Sequence, residues 1–306
     1  MSVVITRVFV MTKTINPVIE KILGNAILLG NFEAGSSEWH ELRNQPATIS
    51  GSKIGSILGL SPFKSAFTLW AEKCKLVEPD VVGSLSMRLG QLVEPAIRQL
   101  YCEQHPEQTV VEVGTYAKTG FEWAHANPDG IGVDENGEGF VLEIKHSALY
   151  WDAVPEHYKA QVFWYCWIFG VRNAVFAVVA GGRYKEFVVE FDAFEFDAIL
   201  DRVNAFRQNV IDQVKPDWDG SESTFETVRA LSPDIEDTSV ELGQLGIELF
   251  NAHVKVKDAE TFLLEMKSRT IDALNGAKYG TIDGTVVAVL SQRAGGKPFL
   301  TIKEQK

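Results

Sequence analysis

In the run Val141-Leu142-Glu143-Ile144-Lys145 an acid and a base stand two residues apart in a segment that reads as a β-strand. Alternate strand side chains point to opposite faces. Phe140, Leu142 and Ile144 therefore share an apolar face toward the core, and Glu143 and Lys145 share the other. A carboxylate and an ammonium fixed together on a rigid strand can hold a metal-bound water beside a positive charge. The preceding hairpin supplies a second acid. Counting back from the turn Asn136-Gly137, a two-residue loop pairs Asp129 with Ile144, and a three-residue loop pairs it with Glu143. Both registers bring Asp129 within one residue of Glu143. Two carboxylates with nearby backbone carbonyls make a hard oxygen site suited to Mg²⁺ or Mn²⁺. Zinc would call for His or Cys at close spacing, and the neighbourhood offers only His146. An E-x-K pair alone is most often a solvated strand face, and Asp in Pro-Asp-Gly most often a turn former. The weight lies in their joint occurrence at hairpin separation.

The elements that must position these residues follow from periodicity. Ala26–Leu29 reads as a strand, and Ser36 or Ser37 as the N-cap of a short helix carrying Trp39 and Leu42. Ser50-Gly51-Ser52 caps a helix over Lys53–Leu58, and another spans about Ala66–Lys75. Leu89, Val93, Ile97 and Leu100 give a longer helix from Leu85 to Tyr101, which Pro95 should kink or divide. After Pro106 the period becomes two. Thr109–Val113, Thr115–Trp123, Gly130–Val133 and Gly139–Lys145 are expected as antiparallel strands, followed by a helix over Pro155–Phe169. Strands Ala174–Ala180 and Tyr184–Phe191 flank Gly181-Gly182, and a helix covers Phe194–Val214. A polar, acidic stretch at Asp217–Asp237 separates this core from a long charged helix, Ser239–Leu274, and a terminal hairpin, Thr281–Leu290 with Lys297–Ile302. The sum is an α/β fold: a mixed β-sheet flanked by helices, with a C-terminal helical tail and a small β-hairpin. Its expected divisions are a lead-in over 1–28, a core over 29–216 and an extension over 217–306.

Asn127-Pro128-Asp129-Gly130 followed by Glu143-Ile144-Lys145 resembles the PD-(D/E)xK nuclease core of restriction-endonuclease-like folds. Gly90-Gln91-Leu92-Val93-Glu94-Pro95 is similar to its upstream helical acid motif, and Gln161 with Tyr165 to the Q-x-x-x-Y motif of its exonuclease branch. Glu38-Trp39-His40-Glu41-Leu42-Arg43, Ser50-Gly51-Ser52-Lys53-Ile54 and Leu58-Gly59-Leu60-Ser61-Pro62 resemble the opening of the YqaJ-like viral recombinase family, to whose group lambda exonuclease belongs. The resemblance covers about Leu29 to Phe191, with five motifs in order.

It implies a metal-dependent 5′→3′ exonuclease on linear double-stranded DNA that leaves 3′ single strands for phage-type recombination. Asp129, Glu143 and the Ile144 carbonyl would ligate the metal, and Glu94 would reach it directly or through water. Lys145 would orient the attacking water, Gln161 and Tyr165 would lie along one helix face beside it, and two ions would serve the displacement. Arg43 and Ser52 match the positions that hold the DNA 5′-phosphate. Ring-shaped homo-oligomers such as trimers, a single-strand annealing partner and a cytoplasmic, phage- or prophage-encoded setting are implied as well. Two other readings of the same core are a structure- or sequence-specific endonuclease and a catalytically silent DNA-binding scaffold. Bland roles stand beside several residues: a salt bridge to Glu38 or Glu41 for Arg43, a helix cap for Ser52, core packing for Tyr165 and Trp151. His40, His146 and His157 have no mutual ligand spacing.

Composition bounds the rest. The chain has 306 residues, 45% hydrophobic and 23% charged, which excludes disordered and collagen-like classes. No apolar run is long enough to span a membrane. Met1–Val10 lacks the marks of a secretory leader, and Met11 is an alternative start. Cys74, Cys102 and Cys166 are too few and too far apart for a disulfide framework or a four-thiolate iron–sulfur cluster. The net charge of −12 is uneven: residues 186–306 carry 22 acids against 13 bases, residues 1–185 only 19 against 16. That argues against non-specific coating of DNA, yet leaves room for a short basic groove leading to a metal site.

Overall fold

The computed structural model describes residues 16–32, 35–79 and 85–303, divided between two compact units, one ending at Pro233 and one starting at Asp234. The opening residues, with the alternative start at Met11, lie outside the described residues. In chain order the first unit contains α1 (Pro17–Leu23), β1 (Ala26–Gly30), α2 (Ser37–Arg43), β2 (Ile49–Ser50) and a 3₁₀ turn (Gly51–Lys53) running into α3 (Ile54–Ile57). There follow α4 (Ala66–Lys73), α5 (Leu85–Gln104), β3 (Thr109–Val111), β4 (Thr115–Lys118), β5 (Phe121–Ala126), β6 (Gly130–Val133) and β7 (Gly139–Ser147). The unit closes with α6 (Glu156–Phe169), β8 (Asn173–Ala180), β9 (Arg183–Glu190), α7 (Ala193–Ile211) and α8 (Glu222–Leu231).

A five-stranded sheet of order β3-β6-β7-β8-β9 forms the centre, and a four-stranded sheet of order β1-β4-β5-β2 lies in the same unit. β7 and β8 are parallel, so α6 must cross over between them; the other pairs of the central sheet are antiparallel. Strand alternation divides the core. Phe140, Leu142 and Ile144 pack with Ile97 and Tyr101 of α5. Val141, Phe176 and Val178 belong to the larger cluster built with Val162, Phe163 and Phe169 of α6. β7 is therefore clad by α5 on one face and α6 on the other, and Glu143 and Lys145 point to the α6 side.

Several elements differ from the sequence expectation for identifiable reasons. Pro95 neither ends nor divides α5. The carbonyl it leaves without a donor belongs to Gln91, and both residues are exposed, so water can serve it. The single strand expected over Thr115–Trp123 is a hairpin, because Thr119-Gly120 turns the chain, with Gly120 at φ 80°. Ser50 makes no side-chain cap; the segment after it starts as a 3₁₀ turn. The supposed lead-in contributes α1, capped by Asn16 with Pro17 at its first position, and β1, paired with β4. The division at Pro233 falls later than the expected boundary at 216 because α8 is part of the first unit. Its buried face is polar: Thr224 Oγ1 donates to Ser65 Oγ at 2.8 Å, and the Thr68 and Thr227 hydroxyls meet at 2.7 Å. Hydropathy periodicity does not see a hydroxyl seam.

The second unit holds α9 (Gln244–Leu274), ended by Asn275 in the left-handed region, and a three-stranded antiparallel sheet rather than a hairpin: β10 (Tyr279–Ile282), β11 (Thr285–Ser291) and β12 (Phe299–Ile302). No described helix is long and apolar enough to cross a membrane.

Candidate active site

The hairpin register decides how the two acids meet. Val133 pairs with Gly139 and Gly130 with Leu142, which, continued, sets Asp129 opposite Glu143, as the three-residue loop requires. Gly137 ends that loop at φ 80°, a backbone state glycine adopts without strain. β6 stops at Gly130, so beyond Leu142 one edge of β7 has no partner strand. Asp129 fills this gap, its Oδ2 accepting the Ile144 N–H at 2.6 Å. The N–H and C=O of one strand residue point to the same edge, so the Ile144 carbonyl also faces this opening.

On the α6 face, Glu143 is 2% exposed. Its Oε1 accepts from Lys145 Nζ at 2.5 Å and from Gln161 Nε2 at 2.6 Å, and Gln161 Nε2 also lies 3.2 Å from the Tyr165 hydroxyl. The other carboxylate oxygen, Oε2, is buried with no hydrogen-bond partner. A buried lone acceptor costs about 1–3 kcal/mol if left unmatched. Neighbouring residues offer hard oxygen donors here: Glu143 through its unpartnered Oε2, Asp129 through its carboxylate and Ile144 through its carbonyl. This set fits a divalent cation such as Mg²⁺ or Mn²⁺.

Glu94 approaches from α5, but Arg98 one turn on holds its Oε1 at 2.6 Å and bridges to Glu112 at 2.6 Å. Among the described residues no three His, Cys, Asp or Glu side chains draw together into a ligand cluster. The carboxylates turn instead to Lys145, Gln161, the Ile144 N–H and Arg98. They remain electrostatic neighbours. Burial and then Asp129 push the Glu94 carboxyl up to about 7, against the pull of Arg98. Burial and Asp129, with Glu94 contributing, push Glu143 up to about 8, while Lys145 opposes. Asp129 is raised by burial, with Lys145 and the Ile144 N–H opposing. Burial would lower the Lys145 ammonium, yet Glu143 and Asp129 outweigh it and raise it above the ordinary lysine range.

The raised carboxyls make a stability prediction. Between the ordinary Glu value of 4.5 and about 7–8, the folded chain keeps protons that the unfolded chain has released. The metal-free fold therefore loses stability as pH rises through that window. A divalent ion held by these carboxylates would take the place of those protons. Millimolar Mg²⁺ is expected to raise Tm more at pH 8.5 than at pH 5.5, by about 2–4 °C per kcal/mol of binding, and Glu143→Gln should abolish the difference. Equal shifts at both pH values would contradict the assignment.

The remaining expected residues form a second group beside the first. Ser36 caps α2 through Trp39 N at 3.2 Å, and Arg43 at its end stacks on Trp39, with Cζ 4.0 Å from the ring centroid. Its guanidinium donates from Nη2 to the Ser52 hydroxyl. The alternatives of a Glu38 or Glu41 salt bridge and a helix-capping Ser52 are not what the side chains do. Lys73 fixes the loop behind them, donating to the Arg43, Gln45 and Thr48 carbonyls at 2.7–2.9 Å. Burial, then Lys64 and Arg43, pull the neighbouring Lys53 down to about 8. Gly51 brings this turn onto α6: a Cβ there would lie 2.3 Å from Tyr165 Cε1. Tyr165, 2% exposed, thus links the two groups, with Gln161 on one side and Gly51 on the other.

Two participants escaped the sequence reading. Arg98 was readable as the i+4 partner of Glu94. His157, set aside as incidental, shares the α6 face of Gln161 and Tyr165 at four-residue spacing, and its Nε2 is buried without a partner. Burial, then Lys145, lower its pKa. Trp151 is buried and stacks on Tyr158 at 5.3 Å, a packing role.

Residues 38–172 match the family model of the YqaJ-like viral recombinase domain. The uncharacterized protein YqaJ of Bacillus subtilis is 25% identical over 288 residues, covering 90% of this chain and 87% of that protein. The uncharacterized protein MG373 of Mycoplasma genitalium is 30% identical over 122 residues, 33% of this chain and 38% of that protein. Among solved structures, the alkaline exonuclease LHK-Exo of Laribacter hongkongensis aligns with a TM-score of 0.47 at 17% identity, over 64% of this chain and all of that one.

Proposed function

From the match of residues 38–172 to the YqaJ-like viral recombinase domain, we propose that this chain is a divalent-metal-dependent exonuclease that degrades linear double-stranded DNA from 5′ ends. The observation that carries the reading is Glu143: buried, one oxygen held by Lys145 and Gln161, the other without a partner, and its carboxyl pushed up by burial and the nearby Asp129 charge.

In this reading Asp129, Glu143 and the Ile144 carbonyl would hold the ion, and Glu94 would add negative charge from α5. When bound, a divalent ion supplies Lewis-acid stabilisation of charge on the phosphoryl oxygens. The chain's own groups do the rest. Lys145 orients the attacking water and offsets negative charge that grows on the phosphate in the transition state. Gln161 fixes the Glu143 carboxylate through one N–H and the Tyr165 hydroxyl through the same amide. Arg43 and Ser52 grip the terminal 5′-phosphate, for which a planar guanidinium is a natural bidentate donor. The product is a 3′ single strand for recombination, handed to an annealing partner in a phage-type system.

The endonuclease and silent-scaffold readings predict different outcomes in one assay. Linear duplex with 5′-phosphate ends and closed circular duplex are incubated with Mg²⁺ or with Ca²⁺. Digestion of the linear form only, and only with Mg²⁺, is the expected result. Cleavage of circles would move the assignment to an endonuclease. DNA binding without cleavage in either metal would leave a scaffold.

A further inference from the structure

The long helix of the second unit has an unmatched surface. α9 runs for 31 residues and none of them is buried. The sheet β10–β12 meets only its C-terminal end, where Met266, Thr270 and Ala273 line a groove of about 380 Å³ with Gly280 and Val287. Over the preceding turns, Leu245, Leu249, Val256 and Leu263 are 63%, 65%, 57% and 42% exposed. Together with Ala252 and Ala259 they recur at alternating intervals of four and three, the a and d positions of a heptad stripe. An apolar seam of this length, about 28 Å at 1.5 Å per residue, exceeds what a single soluble chain normally leaves open.

The flanking charges point to the occupant. With Leu249, Val256 and Leu263 at a, the g positions are Glu248, Lys255 and Phe262 and the e positions are Gly246, His253 and Glu260, so the charged flanks are Glu248, Lys255 and Glu260, with His253 beside them. In a parallel, in-register pair each g side chain faces the e side chain five residues further along the other helix. Lys255 then meets Glu260 of a second copy, and Glu248 meets His253, each contact occurring twice. An antiparallel pair centred on the same stretch would set Lys255 against Lys255. The alanines at 252 and 259 let two helices approach closely. We propose that α9, over Gln244–Leu264, pairs with the same segment of a second copy of this chain as a parallel two-stranded coiled coil. This does not rest on the nuclease reading.

The test is self-association of the full chain by sedimentation equilibrium, with helix content followed by circular dichroism. Lys255→Glu or Glu260→Lys alone should raise the dissociation constant about tenfold, since each reverses two symmetric contacts worth up to about 1 kcal/mol apiece. Combining both reversals should restore the wild-type value with unchanged helix content. A chain that is monomeric at every concentration, a dissociation constant indifferent to the single reversals, or a double variant weaker than either single one would overturn the proposal. The second result would assign assembly to another surface; the first would leave the α9 stripe without a second copy.

Discussion

Lys145→Ala is expected to lower the Mg²⁺-dependent hydrolysis rate of linear duplex about 10²–10³-fold, with KM for DNA nearly unchanged. The magnitude is that of removing one preorganised group aimed at charge that develops in the transition state. The kcat-specific signature follows because an ammonium that orients water and offsets phosphate charge contributes little to ground-state binding. Lys145 is also the ion-pair partner of a buried carboxylate, and deleting one member of a buried pair can cost several kcal/mol. Here the carboxyl of Glu143 already titrates near 8, so it can take up a proton near neutral pH and the variant should fold. A thermal scan separates the two effects: a Tm close to wild type with lost turnover supports the role, and turnover within a few-fold of wild type contradicts it. Lys145→Arg should not rescue, because a bulky fork cannot replace a compact ammonium 2.5 Å from Glu143 Oε1.

Arg43→Ala should abolish the preference for 5′-phosphate over 5′-hydroxyl ends, while turnover on internal chemistry at saturating DNA falls less. A hydrogen bond to a charged group contributes about 1.5–3 kcal/mol, so kcat/KM on phosphorylated ends should drop about 10–100-fold. Arg43→Lys should recover little, because its point charge lacks the planar fork and the stacking on Trp39. Ser52→Ala should show a smaller loss of the same preference. A variant at 43 that still discriminates between the two kinds of end would remove the anion-grip assignment.

The placement of the central side chains is legible because it rests on strand rules. Period two placed Glu143 and Lys145 on one face, and the hairpin count restricted Asp129 to two registers, of which the three-residue loop is the one adopted. The helical spacing of Gln161 and Tyr165 put them on one face of α6. Other features depend on contacts that no local pattern encodes. The tie between Arg43 and Ser52 needs Lys73 to gather three carbonyls from a loop about 30 residues earlier. α8 was hidden because its inward face is made of threonines. The acids proved less gathered than their motif spacing suggested: Arg98, a residue outside the motif, holds Glu94.

The close seat of Gly51 against Tyr165 has a further meaning under the proposed function. The turn that carries Ser52 and the strand that carries Glu143 both abut α6, the first through Gly51 against Tyr165 and the second through Gln161. The interval between the anchored terminus and the broken linkage is therefore a built-in ruler. Such a device releases fragments of a single length, whatever the base sequence, and a bulkier residue at 51 would recalibrate the stride.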